Sequence, residues 1–210
     1  MAEAILFDWD GVLADSVNIG FAIHQEIGKK FGFHYFRSLQ QYRKKCTGDY
    51  RSLYASLGAT QTTILAMELF FLQEQKKYRD TLKLFGGVKS ILKNLVMKGY
   101  KLGIVSNNNG SFITQKLQSE GCRKFVGSIC AWQEGKIKPD PAQLVRCMQE
   151  LGVHPSNAAM VGDMDVDIAA ATNAKVATII AATYGYHPKE RLSGAHIYID
   201  SIEMLPEVLV

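Results

Sequence analysis

With 210 residues, 47% of them hydrophobic and 21% charged, the chain can bury a sizeable core as one domain with an insertion or as two small ones. The net charge of +4 is mild; the sequence shows no basic stripe with interleaved aromatics for nucleic acid, no run near the roughly 20 apolar residues of a membrane span, and no signal peptide. Cys46, Cys122, Cys130 and Cys147 form no CxxC pair and no zinc spacing, which predicts free thiols in a reducing cytoplasm.

The first predicted strand is the apolar run Ala4–Phe7, followed at once by Asp8-Trp9-Asp10-Gly11. Two carboxylates two residues apart share a side of an extended chain, and a chain breaking into a loop at Gly11 lets both converge on one cation. Open α/β sheets hold their ligands just beyond the carboxyl ends of the strands, so this pair stands where a site belongs. From Asp15 to about Leu84 the strand signal lapses. The segment is helical by pattern, broken at Gly32, Gly48 and Gly58, and is read as a small insertion. Gly86-Gly87 marks re-entry into the main domain.

Beyond it, short apolar runs alternate with helical periodicity, the pattern of a parallel sheet with crossover helices. Strands are predicted near Lys101–Ser106, Val126–Cys130, Ala158–Gly162, Val176–Ile180 and His196–Ile199, and helices over Val88–Met97, Ser111–Glu120, Pro141–Leu151, Val166–Thr172 and Ser201–Leu209. The fold class is therefore α/β, a doubly wound parallel sheet with an inserted helical segment: 1–14 and 85–210 for the core, 15–84 for the insertion.

Three polar clusters follow strands of this second part. Ser106-Asn107-Asn108-Asn109-Gly110 puts a hydroxyl and amides just before a helix, suited to a phosphate oxygen or, more plainly, to an N-cap and turn. Lys136-Ile137-Lys138-Pro139-Asp140-Pro141 holds a lysine whose backbone the next proline restrains. Gly162-Asp163-Met164-Asp165-Val166-Asp167 places three carboxylates in five residues, costly unless a cation or hydrogen bonds offset their repulsion. Hard oxygen ligands of this kind favour Mg2+, which keeps waters and adds phosphate oxygens. Carboxylates for a metal, a hydroxyl and amide for phosphate, and a lysine for its charge make one coherent site.

Taken together, these residues resemble the haloacid dehalogenase-like hydrolases nearly end to end. Asp8-x-Asp10-Gly11-Val12 looks like the first motif of that family, Ser106-Asn107 the second, Lys138-Pro139 the third, and Gly162-Asp163 with Asp167 the fourth. The branch it is most similar to contains phosphoglycolate phosphatase and β-phosphoglucomutase, in which a helical cap is inserted after the first motif, where the insertion lies here. The resemblance implies a Mg2+-dependent phosphomonoesterase acting on a small phosphometabolite. It makes Asp8 the nucleophile that forms an aspartyl-phosphate, and Asp10 the acid for the leaving group and then the base for water, with a carboxyl pKa raised by its surroundings. It gives the metal to Asp8, the carbonyl of Asp10, and Asp163, with Asp167 orienting that shell or Lys138. Ser106, Asn107 and Lys138 would meet the phosphoryl oxygens.

The second carboxylate separates this chain from the members that cleave carbon–halogen bonds, which lack it. Departures from the family pattern are the bulky Trp9 between the aspartates and Ala174 where glycine is usual. Asp165 is an extra carboxylate, solvated or an alternate neighbour of the metal. In the cap, Arg43, Lys44, Lys45 and Arg51 flank Gly48 and form either a solvated basic face or a seat for a second anionic group that selects substrate. His24, His34, His154, His187 and His196 are expected at the surface or in turns, and Phe31, Phe33, Tyr35 and Phe36 in the cap core. A sugar phosphomutase using the same aspartate pair and a non-catalytic binding domain are the competing functions. The expected partner is a small phosphate ester, in the cytoplasm, for a monomer or homodimer.

Overall fold

The computed structural model describes residues 2–132 and 136–209. In chain order the elements are β1 (Ala4–Phe7), α1 (Val17–Phe31), α2 (Leu39–Lys45), α3 (Tyr50–Ser56), α4 (Gln61–Lys77), α5 (Val88–Met97), β2 (Lys101–Val105) and α6 (Gly110–Ser119). Then come β3 (Ser128–Cys130), α7 (Ala142–Leu151), β4 (Ala158–Gly162), α8 (Asp165–Asn173), β5 (Thr178–Ala182), β6 (Ile197–Ile199) and α9 (Leu205–Val208). Two compact units result, Met1–Ala14 with Leu84–Val210, and Asp15–Lys83.

The first unit is built on a six-stranded sheet in the order β3-β2-β1-β4-β5-β6, every pair parallel. It is the doubly wound sheet expected from the alternation of apolar runs and helices. β1 is buried along its whole length, as an apolar run covered on both faces must be. Phe7 lies level with Ile104 of β2 and Val161 of β4. The residues that follow each strand (Asp8, Ser106 and Asp163) therefore leave the sheet at one end, at the switch point where the strand order reverses.

Some element bounds differ from expectation. β5 starts at Thr178 instead of Val176 because helix α8 is closed by a Schellman turn first: Lys175 N–H donates to Thr172 O and Val176 N–H to Ala171 O, each at 3.0 Å. The left-handed residue of that turn is Lys175, with φ 58, while Ala174 keeps a right-handed φ of −78. The place that favours glycine is thus one residue beyond Ala174. The helix expected over Ser201–Leu209 is a 3-10 turn, Ile202–Met204, and the single turn α9, since Pro206 cannot donate within it. Leu84 belongs to the α/β unit rather than to the insertion, because it forms an antiparallel bridge with Ala14.

In the helical unit, Ile23, Ile27, Tyr54, Ile64 and Met67 form the core, with Phe31 and Phe33 packed against it. The expected breaks at Gly32, Gly48 and Gly58 fall between successive helices. Ser38, Asp49 and Thr60 start α2, α3 and α4, each side chain accepting a backbone N–H three residues on. His24 corrects the expectation of a surface histidine: it is 3% exposed, its ring lies 4.2 Å from that of Tyr50, and Nδ1 is 2.7 Å from Tyr54 Oη. Burial pulls its pKa down to about 3. None of the four cysteines forms a disulfide, and all four are buried. Among the described residues, no helix is long and apolar enough to cross a membrane.

Candidate active site

After β1 the chain turns sharply: the Trp9 carbonyl accepts the N–H groups of both Leu13 and Ala14, at 3.0 and 2.8 Å. Trp9 itself is fully buried, so the bulky residue between the aspartates serves the core, while Asp8 stays one step past the strand, its N–H still bonded to Val161 O at 2.9 Å.

Lys138 is the centre of the site. Its Nζ lies 2.7 Å from Asp8 Oδ1 and 2.5 Å from Asp167 Oδ1, and 3.2 Å from the Val105 carbonyl at the end of β2. All three charged side chains are buried. Burial opposes the ammonium, but Asp167 and Asp8 outweigh it and hold the lysine pKa above its ordinary value. Burial likewise pushes the Asp8 carboxyl up to about 7, against the pull of Lys138.

Asp167 serves two purposes at once. Oδ1 takes Lys138, and Oδ2 accepts the N–H groups of Asp163 and Met164 at 3.1 and 2.9 Å, capping the start of α8. With both oxygens occupied it orients Lys138 and the turn at Asp163. Asp163 is fully buried; Oδ2 accepts the Tyr186 N–H at 2.5 Å, whereas Oδ1 has no hydrogen-bond partner among the described residues. Burial, with the charges of Asp167 and Asp8 beside it, drives the Asp163 pKa well above the carboxylate range.

Carboxylate oxygens of Asp8, Asp163 and Asp167 lie within 4.8 Å of one another, and among the described residues Lys138 is the cation bonded to them. Three buried carboxylates against one ammonium, one oxygen of them with no donor, make a donor set that suits a hard divalent cation. The side chain of Asp10 stands apart from that group, and its Oδ2 accepts from Asn108 Nδ2 at 2.9 Å.

The second cluster divides its labour. Asn109 caps α6 through Oδ1, accepting from Ser111 and Phe112. Asn107 clasps the Lys138 peptide, accepting its N–H at 2.9 Å and donating to its carbonyl at 3.4 Å. Ser106 is buried and its Oγ accepts the Asn108 N–H at 3.0 Å. Lys138 precedes a cis Pro139, and Asp140 Oδ1 accepts the Ala142 N–H at 2.8 Å where α7 begins.

Asp165 pairs with Arg191 and is neither merely solvated nor part of the carboxylate group. His187, expected at the surface or in a turn, lies in the bend after β5 but is fully buried; its Nδ1 accepts the Asp165 N–H at 3.1 Å and its own N–H goes to the Asp163 carbonyl at 3.1 Å. In the helical unit, Arg51 is tied to Glu68, its Nη2 2.8 Å from Oε2, and the Lys45 ammonium lies 5.1 Å from the Tyr35 ring centre. Lys44 is exposed and Arg43 half-buried at the end of α2.

Sequence reasoning missed the loop after β5. Gly185 packs so closely on Asp163 that a Cβ there would stand 2.1 Å from Oδ2, as it would at Gly11; only glycine fits either position. Reading β5 as ending at Ile180 hid a loop that leaves the carboxyl edge of the sheet like the others.

The sequence profile of the haloacid dehalogenase-like hydrolases matches residues 5–181. A phosphoglycolate phosphatase from Vibrio vulnificus strain YJ016 is 28% identical over 99% of this chain and 96% of its own. An N-acetylmuramic acid 6-phosphate phosphatase from Pseudomonas aeruginosa is also 28% identical, over 99% and 94% of the two chains. Among solved structures, a haloacid dehalogenase-like family hydrolase from Streptococcus pneumoniae superposes with a TM-score of 0.82 at 18% identity, over 98% of each chain.

Proposed function

We propose, for a chain that belongs to the haloacid dehalogenase-like hydrolases, that Asp8, Asp10 and Lys138 carry out phosphoryl transfer from a small phosphate ester to water. The protein is a phosphatase of this family, like the relatives it matches over nearly its whole length. The observation that carries the mechanism is the buried network in which Lys138 bridges Asp8 and Asp167 beside the unsatisfied oxygen of Asp163.

Asp8 attacks phosphorus and becomes an aspartyl-phosphate. Lys138, charged because two carboxylates hold it so, neutralises the phosphoryl oxygens as charge develops. Asp10 gives a proton to the leaving oxygen and takes one from the attacking water. Asn108, 2.9 Å from Asp10 Oδ2, fixes the direction of that carboxyl. Ser106 and Asn107, at the end of β2, would meet the phosphoryl oxygens, and Asn107 holds the Lys138 backbone in place. Asp8, the Asp10 carbonyl and Asp163 would hold Mg2+, which when bound offsets the charge of the carboxylates and of the phosphoryl group.

Phosphoglycolate is the first substrate to test, and relatives named for different esters at equal identity make a panel of small phosphate esters the right assay. Magnesium-dependent phosphate release is expected, abolished by EDTA and reduced by at least about 1000-fold in Asp8→Asn. Turnover unchanged in that variant would rule the nucleophile out.

A further inference from the structure

Helix α7 contributes one residue to the sheet edge that the mechanism above does not use. Gln143 is 4% exposed; its Nε2 donates to the carbonyls of Ser106 and Ala131, both at 3.2 Å. Its Oε1 is buried without a partner among the described residues. A side chain kept there for packing alone would do better without a polar head.

The first of these carbonyls, that of Ser106, is left open where the β2–β3 ladder is interrupted. Ser106 N–H bonds to Cys130 O at 3.0 Å, the last regular rung. In a continuing parallel ladder the Trp132 N–H would go to Ser106 O, but it goes to Asn108 O, at 3.0 Å. Gln143 supplies the missing rung with one N–H and satisfies Ala131 with the other, using both donors of its amide.

That rung sets a direction. The Ser106–Asn107 peptide is planar and trans, so its C=O and N–H point opposite ways. Pinning Ser106 O toward β3 turns the Asn107 N–H toward β1. The Val105 carbonyl faces that side too, 3.2 Å from the Lys138 ammonium, which is itself 2.7 Å from Asp8. The Asn107 side chain is already spent on the Lys138 peptide, so its backbone N–H is the donor it has to offer.

We propose that Gln143 is a positioning residue, aiming the Asn107 peptide N–H at the phosphoryl group that Asp8 receives. The inference rests on the phosphatase reading. Q143M keeps the length of the side chain and removes both donors. Compared with wild type, it should lose about ten-fold in kcat, and the inhibition constant for inorganic phosphate should rise by about ten-fold. Its affinity for Mg2+ alone, from calorimetry, should stay within about two-fold. A role confined to packing would lower Tm and leave kcat per folded molecule and phosphate inhibition where they were; that result overturns the proposal. If Q143M does not fold, the wild-type protein decides. Its Asn107 amide proton should move downfield on saturation with inorganic phosphate and Mg2+, and an unmoved resonance overturns the proposal. A folded wild type that neither hydrolyses esters nor binds phosphate overturns the phosphatase reading itself, and this inference with it.

Discussion

At the scale of single residues, the site is a problem of buried charge. Asp8, Asp163 and Asp167 stand within 4.8 Å of one another, and Lys138 holds two of them by direct bonds. Removing one partner of such a network leaves the others uncompensated in a medium that solvates them poorly. Lys138→Met should therefore abolish turnover and, in EDTA, destabilise the protein by about 3 kcal/mol, read as a lower urea midpoint. Mg2+ should restore part of that loss, because a cation binding only the folded state stabilises it by mass action. A midpoint unchanged in EDTA would mean that the carboxylates do not need the ammonium. The residue types here were legible in the sequence, since each polar group follows an apolar run: Asp8 after Ala4–Phe7, Asp163 after Ala158–Gly162. The use of each oxygen was not. Asp167 reads as one of three acidic residues, and only the turn of α8 onto Lys138 shows that both its oxygens are taken.

At the scale of elements, period and breakers located most helices and strands, and failures arose where a distant partner set the boundary. Helix α5 begins and ends where its apolar spacing says, Val88–Met97. β5 begins late because a Schellman turn intervenes and pairing with β4 starts at Thr178. The helical unit shows the same dependence in its core. His24 sits among the rings of Phe36, Tyr42, Tyr50, Tyr54 and Phe71, contacts that bring together residues from four helices and one loop. With a folded pKa of about 3 against an ordinary 6.5, the unfolded chain takes up the proton first as pH falls. Its contribution is complete above pH 6.5 and is lost below it, at a slope approaching 2.303RT, about 1.4 kcal/mol per pH unit. Urea unfolding followed by circular dichroism should show this loss between pH 6.5 and 4, and His24→Phe should flatten it. Equal pH dependence in the variant would place the acid sensitivity elsewhere.

At the scale of the whole molecule, the helical unit enters and leaves the α/β unit at adjacent points. Ala14 and Leu84 form a bridge, and Phe85 N–H donates to Leu13 O at 3.0 Å. An insertion whose ends meet in this way closes no loop through the core of its host. Replacing residues 15–83 by Gly-Gly should therefore leave a protein with a cooperative thermal transition and mixed α/β circular dichroism; a chain without a cooperative transition would show that the host unit cannot fold alone. From the sequence by itself came the class of fold, the site's residue types and their place at the ends of strands. These follow from local rules, because a strand buried on both faces must be a run of apolar residues and the loop after it must be polar. The tertiary structure alone decided the pairings: Asn107 with the Lys138 peptide, Gln143 with two carbonyls, the Gly185 loop with Asp163, and the burial of His24 and His187. Each of these joins residues far apart in the chain, where sterics and hydrogen-bond satisfaction act through space and leave no periodic trace in the order of amino acids.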